Sequence, residues 1–125
     1  ISKVNQDDCE YPLIYVNKRF ELMSRRKREN LVGEPETFLQ TPVTLQTPGQ
    51  SRGLSQMNNS IKHNQRSTCL LVCDRNHIET FRNMIGVKPV LNEKWDSVDY
   101  VITVQMEVTA HRSVDDVRSV IVLML

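Results

Sequence analysis

Cysteine is scarce in this chain. The 125 residues hold three, Cys9, Cys69 and Cys73. That number is odd and too small to staple a domain of this length, which excludes a disulfide scaffold and points to a reducing, intracellular setting. Long apolar runs are lacking as well. None approaches the ~20 residues needed to span a bilayer, and the first residues are polar and acidic rather than signal-like, so a soluble chain is expected. No excess of charge of one sign is present: 16 Lys and Arg stand against 15 Asp and Glu, for a formal net charge of +1. Bulk electrostatics therefore favours neither nucleic acid nor acidic substrates as partners. The signatures of catalysis are missing too. There is no G-x-S-x-G, phosphate loop, H-E-x-x-H or paired-carboxylate arrangement, and His63, His77 and His111 are scattered without a partnered nucleophile. No enzyme is expected.

What is present has the size of one domain with one modest core. The chain opens on "ISKVNQDD", without Met, as if partway through an element, so a domain taken from a longer protein is expected. "YPLIYVN" (11–17) is rich in β-formers and predicts a strand. "NKRFELMSRRKRENLVG" sets Phe20, Met23, Leu31 and Val32 among charges at roughly helical spacing, with Asn17 as cap and Gly33 as stop, and predicts two short helical pieces. Residues 41–60 carry Pro42, Pro48, Gly49 and Gly53 with few large apolar side chains, which predicts a surface loop passing into a helix near "LSQMNNSIK". The period then changes. "TCLLVCD", "FRNMIGVKPV" and "DYVITVQMEVT" predict three consecutive strands joined by hairpin loops. After Thr109, Ser113 offers a cap for a helix with Val114, Val117, Val120, Ile121 and Met124 on one side. The order predicts an α+β domain with an antiparallel sheet and helices packed on one face.

This order, with Tyr15, Asn17, Phe20, Met23, Ser24, Glu29, Leu31, Val32 and Gly33 in the first helical part, resembles the PAS superfamily, in its light-oxygen-voltage (LOV) flavin-binding branch. The resemblance runs from about residue 1 to Thr109. It implies a five-stranded antiparallel sheet with short helices on one face, a sensory domain over 1–109 whose first strand is cut short, and an exit helix over 110–125. The family signature Gly-Arg-Asn-Cys-Arg-Phe-Leu-Gln falls on Gly33, Glu34, Pro35, Glu36, Thr37, Phe38, Leu39 and Gln40. Glu36 thus replaces the cysteine that bonds to the flavin ring under blue light, and that photochemistry is not expected. Gln40, Asn83 and Gln105 match three polar contacts to the flavin, so FMN or FAD held without a covalent bond is implied. The chemistry suits the site: the pyrimidine edge alternates acceptor, N–H donor and acceptor, and a carboxamide carries both partners. A further family Asn falls on Cys73, and the two phosphate-binding arginines fall on Thr37 and near Asn58.

Plainer readings stand beside these. Pro35 suits a first helical position and Glu36 a first turn, where a carboxylate favours the helix dipole. Cys69, Cys73 and His77 have a C-x₃-C-x₃-H spacing, but strand neighbours four apart lie ~13 Å from one another and cannot share zinc, so no metal is expected. "RRKR" (25–28) is expected as a solvated basic face, and Asn58-Asn59-Ser60 as a chance sequon. Two functions follow from the whole: a non-covalent flavin-binding blue-light or redox sensor, or a PAS fold without ligand that serves in protein interaction. In both, the apolar exit helix is expected to meet the sheet, a second copy or an effector domain.

Overall fold

The computed structural model describes residues 1–4, 11–35, 48–75 and 79–125. Glu36, Gln40, Cys9 and His77, and residues 41–47 of the stretch expected as loop over 41–60, lie outside the described residues. The elements are β1 (Ser2–Lys3), α1 (Lys18–Ser24), α2 (Arg28–Leu31), α3 (Pro48–Lys62), β2 (Ser67–Arg75), β3 (Glu79–Leu91), β4 (Val98–Glu107) and α4 (Val114–Met124).

The three expected strands form an antiparallel meander, and β1 adds to it to give the order β1-β4-β3-β2. Register is set by alternation: Cys69 faces Ile85, Leu71 faces Asn83, Cys73 faces Phe81, and on the next strand Ile85 faces Gln105 and Asn83 faces Glu107. All of these point to one face, the inner one. There, α3 supplies Met57 and Ile61 to a core with Cys69, Leu71, Phe81, Ile85, Val87 and Val101. Each such side chain removed from water contributes about 1.5–3 kcal/mol.

Among the described residues, four strands stand where five are expected. The segment 11–17 contributes only isolated bridges, Leu13 with Ser2 and Pro12 with Pro35. Pro12 accepts from Lys3 N at 3.0 Å but has no N–H to return, so the ladder does not propagate. The fifth strand is reduced to a seam between β1 and the turn at Gly33, whose N–H donates to Leu13 O at 2.7 Å.

The two short helices form as expected. Asn17 Oδ1 accepts from Phe20 N at 3.0 Å and caps α1, and Arg25, at φ 57°, ends it. Glu21 of α1 then accepts from the Arg28 N–H at 2.7 Å and ties the start of α2 to it, and this bond holds the Glu21 carboxyl below its usual range. Gly33, at φ 92°, turns the chain after α2 in a conformation open to glycine. Leu31 is fully buried, whereas Val32 is exposed.

Two corrections concern the longer helices. The helix expected near "LSQMNNSIK" starts earlier, at Pro48, within the stretch expected as loop, since proline fits a first turn that needs no N–H. Gly53 lets α3 sit directly on β2: a Cβ there would lie 2.6 Å from Cys69 Sγ. The helices also do not share one face. Ser113 Oγ caps α4 through Asp116 N at 3.1 Å, and Val117 and Ile121 pack on the outer face of the sheet against Met84 and Val108, with Leu70, Val104 and Met106. Val120 and Met124, expected on the packed side, are exposed together with Val122 and Leu123.

Candidate functional site

On the inner face a polar group interrupts the apolar core. Asn83 is fully buried in the middle of β3. Its Nδ2 donates to Gln105 Oε1 on β4 at 2.7 Å and to Cys73 Sγ on β2 at 3.7 Å. Its Oδ1 is buried and has no hydrogen-bond partner among the described residues. A buried acceptor left without a partner costs about 1–3 kcal/mol. Burial pushes the Cys73 thiol up to about 11, against a smaller downward pull from the Asn83 hydrogen bond. The sulfur next to Asn83 is therefore neutral.

Gln105, half-buried, is the member of this cluster that reaches open space. It lines two adjoining cavities, one of about 240 Å³ with Leu13, Tyr15 and Val16, the other of about 360 Å³ with Leu22, Met23 and Met106, and Asn17, Phe20 and Thr103 border both. The larger reaches the lower end of the range for small-molecule sites, and the walls of both are mostly apolar with a few polar groups, as such sites require.

Beyond Asn83 the inner face ends in a charged cluster. Arg75, only 8% exposed, binds Glu107 at 2.8 Å and Glu79 at 3.2 Å, and its guanidinium lies 4.2 Å from the centroid of Phe81. Arg25 adds a bond to Glu79 at 2.9 Å. The expected solvated basic face is therefore partly engaged: Arg25 joins this cluster and Arg28 stands 5.6 Å over the Tyr15 ring. Sequence reading missed Arg75. The signal was its place in the inward alternation Cys69, Leu71, Cys73, Arg75.

Of the expected contacts, Asn83 and Gln105 are brought into direct hydrogen bonding, and Gln40 lies outside the described residues. Asn58, near which a phosphate-binding arginine was aligned, is exposed on α3. Cys69 and Cys73 are free thiols, and no metal-binding group of His, Cys, Asp and Glu occurs among the described residues.

No protein-family model and no curated protein matches the chain. Solved structures do. The light state of the blue-light photoreceptor Aureochrome1 LOV is similar with a TM-score of 0.70 at 22% identity, over 98% of this chain and 86% of that one. A light-oxygen-voltage domain studied with a flavin analogue gives 0.69 at 18%, over 98% and 82%. The LOV domain from an Erythrobacter litoralis blue-light activated histidine kinase gives 0.66 at 26%, over 85% and 90%. This chain is a domain of the PAS/LOV-type fold. No helix among the described residues of the PAS/LOV-type domain is long and apolar enough to cross a membrane.

Proposed function

We propose that the domain is a sensory module whose inner face holds the pyrimidine edge of a flavin, FMN or FAD, without a covalent bond. The observation that carries this reading is the buried, unpartnered Asn83 Oδ1, hydrogen-bonded through its amide to Gln105 on the wall of a cavity. An imide N–H satisfies that oxygen, and Gln105 is placed to bond an adjacent ring atom. A bound flavin supplies blue-light absorption and reversible reduction. The chain's own part is to carry a change in the Gln105 hydrogen bonds along β4, where the flanking Val104 and Met106 face the other way and pack with α4. The exposed apolar side of α4 then meets an effector domain or a second copy.

The test is the absorption spectrum of the protein, purified and reconstituted with FMN or FAD. A flavin spectrum in the blue, lost in Asn83→Leu and Gln105→Leu, is the expected result. Absence of flavin absorbance after reconstitution overturns the reading.

A second reading is favoured by the seat of α3. Contact of Gly53 with Cys69, together with Met57, Ile61 and Phe81, closes part of the inner face with the chain's own side chains. In that case the fold serves protein interaction without a ligand. Asn83→Leu then leaves partner binding intact and holds stability within about 1 kcal/mol, because it removes an orphaned polar group.

A further inference from the structure

A third and larger cavity, of about 760 Å³, opens where β3 runs past the start of β2 into the hairpin before β4. Its volume lies inside the range of small-molecule sites. Val90, Leu91 and Ile102 give it an apolar wall, and Trp95 borders it from the hairpin loop. Its charges come from Arg66, Lys88 and Glu93. Register sets the two cations side by side: Ser67 faces Val87, so Arg66 falls next to Lys88. Lys88 is half-buried, yet neither it nor Arg66 forms an ion pair or a side-chain hydrogen bond among the described residues, with Glu93 or with any other group. The inward Arg75 is treated differently, since two carboxylates meet it. A partly desolvated cation without a counter-charge is unfavourable, and an anion that bonds to it removes the deficit.

Trp95, the single tryptophan of the chain, is 79% exposed. Its φ of 62° is unfavourable for a bulky residue, and the loop holds it there: Trp95 N–H donates to Asn92 O at 3.1 Å, while Asn92 Oδ1 accepts from Lys94 N at 3.0 Å and Asp96 N at 3.2 Å. The fold thus spends a strained backbone on keeping a large flat side chain in water beside two unneutralised cations. A ring stacked on the indole buries the apolar face left outside.

We infer that this cavity binds an aromatic heterocycle of mononucleotide size that carries a phosphate: the dianion meets Arg66 and Lys88, and the ring lies on Trp95. Glu93 offers an acceptor to N–H groups of the ring and disfavours a second anionic group at that end. The inference does not rest on the flavin reading, because neither Asn83 nor Gln105 borders the cavity.

AMP, adenosine and inorganic phosphate are the probes, with affinity read by titration calorimetry on the full chain and location read from the fluorescence of Trp95. AMP is expected to bind saturably, below about 1 mM, to shift the Trp95 emission, and to bind roughly tenfold or more tightly than adenosine or phosphate, each of which satisfies one half of the site. Arg66→Gln or Lys88→Gln should weaken AMP about tenfold and leave adenosine unchanged. Trp95→Gly should weaken AMP by about as much with little change in thermal midpoint, because glycine adopts a φ of 62° freely, which separates a lost contact from a lost fold. AMP bound no better than phosphate, AMP affinity unchanged in Trp95→Gly, or no saturable AMP binding below about 1 mM overturns the proposal.

Discussion

Cys73 is pulled two ways by its surroundings, and desolvation wins. Its thiol ordinarily titrates near 9.0 and is pushed up to about 11 in the fold, since the buried anion would be poorly solvated while the Asn83 N–H offsets only part of that. The unfolded chain therefore loses this proton first as pH rises. Stability from the group is complete below about 9 and declines as pH climbs toward 11, by up to about 2–3 kcal/mol. Urea unfolding at pH 8 and pH 10.5 checks this: the drop in wild type should shrink in Cys73→Ser, and an equal drop in both would refute it. Asn83 shows why such residues are hard to judge from sequence. Asn is disfavoured in strands unless its side chain finds partners. That rule singles out Asn83 as unusual, but Gln105 and Cys73 lie 22 and 10 residues away along the chain. Only strand pairing makes them its neighbours.

At the scale of elements, two glycines set how closely helices approach the sheet. Gly53 admits Cys69, and Gly86 on β3 admits the Ile121 Cγ2 methyl of α4 so tightly that a Cβ would overlap it. Gly86→Ala is expected to lift α4 from the outer face while β2, β3 and α3 stay in place, at a cost of about 1–3 kcal/mol. Hydrogen exchange would show it as lost protection confined to α4, with partial recovery in Gly86→Ala/Ile121→Ala. Uniform loss across the sheet would contradict it. The cap of α4 makes a smaller claim: Ser113→Ala removes the bond to Asp116 N and should destabilise by about 0.5–2 kcal/mol in thermal or urea unfolding. Element type was legible wherever periodicity was strong, as in the β-branched meander and the capped α1 and α4. It missed the first turns of α3, where Pro48, Gly49 and Gly53 suggested a loop, and failed at 11–17, where β propensity was high but Pro12 lacked the N–H a ladder needs.

For the whole molecule, the sheet is the link between the two readings of function. Its inner face carries Asn83 and Gln105, its outer face carries α4, and neighbouring residues on β4 point to each in turn. If flavin binds, it stabilises the folded form by mass action, about 2.7 kcal/mol at a hundred times the dissociation constant. The thermal midpoint should rise by several degrees with FMN; a midpoint indifferent to it favours the interaction module. In Gly86→Ala the same rise should persist, because Asn83 and Gln105 lie on the sheet face opposite Val117 and Ile121 of α4. The sequence by itself determined the α+β order, the three long strands and the caps at Asn17 and Ser113, because these depend on local propensity and on periods of 2 and 3.6 residues. Tertiary structure decided which face each helix covers, how Asn83, Gln105 and Cys73 share hydrogen atoms, and the burial of Arg75 against Phe81, Glu79 and Glu107. Those features arise between residues distant in the chain, where register and close approach, rather than composition, choose the neighbours.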